Sequence, residues 1–274
     1  MQPTINFEGD VVHATSPEGK QGSMRVEDLF SRTSSRPMDS SGVVLPNGIK
    51  LLYSNGPITV WVHETPPRVL QLKWIADNSP TPFGEGAKYR MVRVALPYLV
   101  VLAAFERGRL SDYNECFFRV APIESENDEL LYPSLLNCSR FEPSDGHPLS
   151  WICSQYLDRQ FMHERDPNRR MRLGFKSLLY CLIETGYNHS SDRHEYSSWF
   201  TESTKVDPRV ATVEKWERAS EQDPMFVLDV PWLKTGKSIK EVVERIFKNH
   251  RGSNHRIRSV LDIARLILNQ PKGS

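Results

Sequence analysis

The chain has 274 residues, of which 39% are apolar and 25% charged, with a formal net charge of +1; this is the profile of a globular protein long enough for one large domain or two small ones. A charge balance so close to neutral argues against nucleic acid as the default partner, because phosphate binding usually leaves a clear basic excess. No apolar run reaches the length of a membrane span, and the opening MQPTINFEGDVVHATSPEGK lacks the basic and apolar blocks of a signal peptide, so a cytoplasmic protein is expected, with its four cysteines held as free thiols.

Residues 1–42 are rich in Ser, Gly, Pro and charge, and an irregular arm is expected there, with one short helix around Val26 to Arg32. From Val43 to Pro122 the chain reads as a strand meander. VVLPNGIKLLYS holds an Asn-Gly pair between apolar runs, a strong hairpin cue. ITVWVHE alternates and is rich in branched and aromatic residues. VLQLKWI places Leu70, Leu72 and Trp74 on one face and Gln71 and Lys73 on the other, the period-two signature of a half-buried strand. TPPR reads as a turn and SPTPFGEG as a loop. In VRVALPYLVVLAAFERGRL, Pro97 bars a continuous central strand, so two strands and a bend are expected, ending at Gly108. NECFFRVAP closes the meander, and the acidic run IESENDE reads as a solvated loop.

After Leu130 helical spacing takes over. PLSWICSQYLDRQF predicts a helix opening at Pro148. NRRMRLGFKSLLYCLIETGY predicts a second, with Leu173, Phe175, Leu178, Leu179 and Leu182 on its apolar stripe and Gly186 as its stop. RVATVEKWERASEQ predicts a third, capped by Asp207. SIKEVVERIFKNH opens with a capping box, Ser238 to Glu241, and HRIRSVLDIARLILNQ is a final amphipathic helix. Strands followed by helices mean an α+β fold: an antiparallel strand meander with packed helices and a helical C-terminal part. The expected divisions are an arm over 1–42, an α+β domain over 43–200 and a helical extension over 201–274.

The motifs of large enzyme classes are missing. There is no phosphate loop, no Gly-x-Gly-x-x-Gly, no His-Glu-x-x-His, no Gly-x-Ser-x-Gly and no Cys-x-x-Cys. His189, Asp192, His194 and Glu195 lie within TGYNHSSDRHEY, but their spacing matches no metal motif and a polar interhelical turn is the simpler reading. The basic stretch KNHRGSNHRIR reads first as a solvated loop and second as a phosphate contact. No metal or cofactor is expected. Trp61 and Trp151 read as core or interface aromatics.

The cysteines divide into two groups. Cys116 and Cys181 lie in apolar patterns and read as structural. Cys153 falls in the first turns of the helix predicted from Pro148, with His147 nearby, where a thiolate is favoured. Cys138 sits beside Asn137 in an irregular stretch.

The segments VWVHETPPRVLQLKW, ALPYLVVLAAFERGRLSDYNECFFRVAPI and YPSLLNC, followed by Asp145-Gly146 and Cys153, resemble in order and character the ubiquitin-conjugating enzymes. More narrowly, they are similar to a divergent bacterial group that includes protein B of the PRTRC plasmid cluster. The resemblance covers roughly residues 43–200. It implies a transferase that carries a ubiquitin-like modifier as a cysteine thioester, with an activating enzyme and that modifier as partners. It also implies Cys153 as nucleophile, or Cys138 in its place, and Asn137 as the stabiliser of the oxyanion. The family's His-Pro-Asn appears here as Tyr132-Pro133 and, three residues later, Asn137. Two other readings remain open. One is a non-catalytic adaptor holding other protein subunits in a bacterial defence or plasmid-maintenance assembly. The other is a nucleic-acid-associated accessory protein using the region Arg251 to Arg258.

Overall fold

The structure is a computed structural model and describes residues 4–26, 45–81, 85–134, 138–140, 148–154, 157–184, 186–187 and 206–253, together with Ala264 and Leu268. It is a mixed α+β protein whose strands are mostly antiparallel. The chain forms two compact units, Met1–Ser40 with Phe247–Ser274, and Ser41–Ile246.

In the first unit, β1 (Thr4–Glu8), β2 (Val11–Thr15) and β3 (Gln21–Arg25) form an antiparallel sheet in that order. Glu8 pairs with Val11, so Gly9 and Asp10 make the turn, and Gly9 supplies the positive φ (61°) that a two-residue hairpin needs. Ser16 and Lys20 close the second turn through a backbone bond of 2.8 Å. Val12, Ala14 and Met24 bury one face against Ala264. Strands therefore stand where an irregular arm was expected. The Ser, Gly and Pro residues serve the turns, and Val12 and Ala14, the two positions of β2 that are buried, are too few to raise a clear periodic signal. Of the helix expected around Val26 to Arg32, all but Val26 lies outside the described residues.

The second unit is built on nine strands. They are β4 (Ile49–Asn55), β5 (Ile58–Thr65), β8 (Tyr98–Glu106), β9 (Arg109–Leu110), β10 (Glu115–Arg119), β11 (Glu129–Leu131), β12 (Cys138–Arg140), β13 (Ser150–Ile152) and β15 (Lys234–Ser238). Their central order is β12-β13-β10-β8-β5-β4; β11 joins β10 to β15, and β9 folds back on β8. A hairpin of β6 (Arg68–Ile75) and β7 (Tyr89–Leu96) forms a separate sheet with the short β14 (Gly186–Tyr187), which pairs parallel to β6. The hairpin turn does not fall at Asn47-Gly48, where it was expected. Asn55 pairs with Ile58 across Gly56 and Pro57, with Gly56 at φ 61°, whereas Asn47-Gly48 precedes β4. Pro97 separates β7 from β8, as its missing N–H requires. On β6, Leu72 and Trp74 are buried and Gln71 and Lys73 exposed, as the alternation predicted.

β5 and β8 are buried along nearly their whole length because both faces of the sheet are covered. On one face lies α1 (Pro167–Ile183), started by Asp166, whose carboxylate accepts from the Asn168 amide at 3.0 Å. Phe175 of α1 packs on Trp61 and His63 with ring centroids at 5.9 and 5.1 Å. Burial of one such ring stabilises by about 2–3 kcal/mol. Leu173, expected on the apolar stripe, faces solvent instead, and Gly186 lies in β14 rather than ending the helix, which Glu184 caps.

α2 (Val213–Gln222) is capped by Thr212; Asp207 caps a separate 3-10 turn, Pro208–Val210. α2 seals the outer edge of β7 with side chains. Glu217 accepts from the Arg93 amide, Ser220 from the Ala95 amide, and the Trp216 indole donates to the Ala95 carbonyl, at 2.7, 2.8 and 2.8 Å. An open strand edge is thereby closed without another strand. α3 (Ile239–Ser253) begins with the predicted capping box, the Ser238 amide donating to Glu241 at 2.9 Å. The acidic run before it is ordered rather than merely solvated. The Asp128 and Glu126 carbonyls accept from the Ile239 and Lys240 amides at the start of α3. Nor is the C-terminal part purely helical, since β15 joins the main sheet.

Candidate functional site at the Cys138–Cys153 hairpin

The segment around Trp151 is a strand, not the helix its spacing suggested. Glu115 explains why. Its carboxylate is 1% exposed and accepts from the Leu149 and Ser150 amides at 2.8 and 3.2 Å, as well as from Arg245 of α3. The Ile152 amide donates to the Asn114 carbonyl at 2.9 Å, and the Trp151 indole to the Asp112 carbonyl at 2.7 Å. These partners hold 149–152 extended along β10, and a helix there would forfeit all of them. Burial pushes the Glu115 carboxyl upward, while Arg245 and the two amides pull it back; the net shift is upward.

β13 also pairs with β12, with Cys138 opposite Ile152, Ser139 opposite Trp151 and Arg140 opposite Ser150. Asn137 immediately precedes Cys138 and Cys153 immediately follows Ile152. Cys153 therefore lies at the end of the hairpin that the Cys138–Ile152 pair marks. Cys153 is half-buried, and its carbonyl accepts from the Cys181 thiol of α1 at 3.2 Å. Beyond it, Ser177 of α1 donates to the Asp158 carbonyl at 2.7 Å and a 3-10 turn, Gln160–His163, leads into α1. The helix-start environment expected for Cys153 is thus replaced by a strand end anchored to α1.

Cys138 turns toward the core and lies beside the Cys116 thiol; burial first, and then the hydrogen bond with Cys138, push the Cys116 thiol well above its ordinary value. Cys116 and Cys181 are buried, as their apolar settings predicted. Tyr132, at the position of the family's His, is buried, and its amide donates to the Leu233 carbonyl at 2.8 Å. Asn137, Asp145-Gly146 and His147 lie outside the described residues, as do His189, Asp192, His194 and Glu195. Of the basic stretch, His250 is buried in α3, while Arg256 and Arg258 lie outside.

Glu115 and Arg245, which position the hairpin, were not singled out by sequence reasoning. The available signal was an acidic residue opening the apolar run ECFF, where a lone carboxylate needs a partner if buried. Among the described residues no group of three or more His, Cys, Asp or Glu is placed to hold a metal, and no helix is long and apolar enough to cross a membrane. Comparison with protein-family models, curated proteins and solved structures finds no match.

Proposed function

We propose that the protein is an acyl-carrying transferase of ubiquitin-conjugating type, with Cys153 as its nucleophile. The observation that carries this reading is the hairpin register: Cys138 pairs with Ile152, so Cys153, next in the chain, stands half-buried at the end of that hairpin. A thiol at a strand end is the nucleophile that acyl transfer through a thioester requires, and Asn137, next to Cys138 in the sequence, would supply the amide. The order that follows, a 3-10 turn and then a helix packed on the meander, agrees with the resemblance drawn from the sequence.

In the first step the Cys153 sulfur attacks the thioester carbonyl of an activated modifier. A carbon–sulfur bond forms at Cys153, the carbon–sulfur bond of the donor breaks, and the donor leaves as a thiol that takes up the proton. In the second step a lysine amine attacks the Cys153 thioester. An amide bond forms, the carbon–sulfur bond to Cys153 breaks, and the amine's surplus proton ends on the released Cys153 thiol. The oxyanion of each step is the species that Asn137 would stabilise.

The test uses ubiquitin activated as a small-thiol thioester at its C-terminus, incubated with the full chain. An adduct that is cleaved by excess thiol, absent in Cys153→Ala and retained in Cys138→Ala, supports the assignment. An adduct on Cys138 instead overturns the assignment to Cys153 and makes Cys138 the nucleophile; none on either cysteine while Cys153 reacts freely with iodoacetamide overturns the reading in favour of the adaptor.

A further inference from the structure

We propose that the solvent face of α1, continued onto the turn between β8 and β9, is a binding surface for single-stranded nucleic acid. This inference does not depend on Cys153.

The whole chain balances 35 cations against 34 anions, yet α1 carries Arg169, Arg170, Arg172 and Lys176 and no acidic residue. Arg169, Arg172, Leu173, Lys176 and Tyr180 follow one another at helical spacing, so they share one face. All five are exposed; the Arg169 side chain is 64% and Tyr180 55% accessible. Arg165 precedes the helix, and Arg107 and Arg109 join it from the neighbouring turn. Arg170 fixes that turn in place, donating to the Gly108 carbonyl at 2.9 Å and to the Glu164 carbonyl at 3.0 Å.

Two features of this face run against stability. The first turns of α1 hold arginines and no acid, opposing the helix's own dipole. Arg107 occupies the left-handed region at φ 50°, where Asn or Gly is the low-energy choice. Both concentrate positive charge on one surface. Glu106, Glu164 and Asp166 offset only part of it: against these three acids the surface carries Arg107, Arg109, Arg165, Arg169, Arg170, Arg172 and Lys176.

The partner chemistry follows from the side chains. Guanidinium forks match phosphate oxygens, and an exposed Tyr and Leu among them suit unpaired bases, which stack on any ring. From Arg169 to Tyr180 is eleven residues, about 16 Å along the axis, long enough to follow several nucleotides of a single strand.

The test is fluorescence anisotropy of the full chain with labelled fifteen-nucleotide oligo-dT and oligo-U, from 50 to 200 mM salt. Binding that weakens steeply with salt is expected. In R169A/R172A/K176A the logarithmic salt slope should fall by about two, at roughly 0.7 per single-strand phosphate contact, with at least a tenfold loss of affinity. Y180A should weaken binding about fivefold or more without changing the slope, as expected of stacking. All four positions are exposed, so the fold is retained; R256A/R258A should bind as the parent does. No binding at 50 mM salt, binding unchanged in the triple variant, binding lost in R256A/R258A, or polyaspartate competing as well as the oligonucleotide would each overturn the proposal, the last in favour of an acidic protein.

Discussion

Replacing Glu115 by Gln isolates what holds the β13 strand in place. The glutamine keeps an oxygen for the Leu149 and Ser150 amides but removes the charge that faces Arg245, whose side chain is only 16% exposed. Breaking a buried ion pair at one partner costs about 3–5 kcal/mol, because the other charge stays buried; the residual exposure of Arg245 places the expected loss near the lower figure. Glu115→Ala strands two amides as well, at about 1–3 kcal/mol each, and should cost more than Gln. The double variant Glu115→Gln/Arg245→Met removes both charges and should be at least about 1 kcal/mol more stable than Glu115→Gln alone, the coupling expected of groups in contact. All six tryptophans lie between positions 61 and 232, so fluorescence-monitored urea unfolding reads the unit Ser41–Ile246. In Arg245→Met the Glu115 carboxyl, already raised by burial, loses a group that lowers it. A raised acid favours the folded state at low pH, and that contribution is lost as pH rises through its folded value. The variant should therefore be closer to the parent at pH 5 than at pH 8. A loss under 1 kcal/mol in Glu115→Gln, or no recovery in the double variant, would refute the reasoning.

Four further outcomes can be measured the same way. Gly48→Ala should destabilise by about 2 kcal/mol or more, because a methyl group there would lie 2.6 Å from the His63 ring at a φ of 86°. Ser220→Ala should cost about 1–3 kcal/mol, since the buried Ala95 amide at the edge of β7 loses its acceptor. Arg107→Asn should raise stability by a few tenths to about 1 kcal/mol, because Asn tolerates the left-handed turn better, while weakening oligonucleotide binding. Burial lowers the His63 pKa below its ordinary value; a lowered base favours the folded state above the unfolded value, near 6.5, and that stability drains as pH falls through the folded value. His63→Leu should flatten the acid limb of the unfolding midpoint against pH, and an unchanged limb would show that His63 does not titrate there.

Much of the meander was legible. VLQLKWI alternates because one side of β6 is buried and the other wet, and Pro97 ends a strand wherever it falls in a sheet, for want of an N–H. The capping box at Ser238 is local chemistry and was equally plain. Trp151, by contrast, sits in a stretch whose spacing suits a helix, and the partners that decide otherwise, Asn114, Glu115 and Arg245, lie 36 and more residues away on either side. The candidate site shows the same division. Its residue types could be named in advance, but the helix expected to activate Cys153 is absent, and the pairing of Cys138 with Ile152 joins residues fourteen apart in the chain.

By itself the sequence determined that β6 buries one face, that the chain breaks at Pro97 and that α3 starts at Ser238, because those depend on neighbours within a few residues. Only the tertiary structure decided that a lone carboxylate would be buried and paired, that an edge strand would be closed by the side chains of a helix, and which end of which hairpin Cys153 would occupy. Those outcomes rest on the balance between desolvating a polar group and the distant partner that compensates it, and no local pattern records where that partner will be.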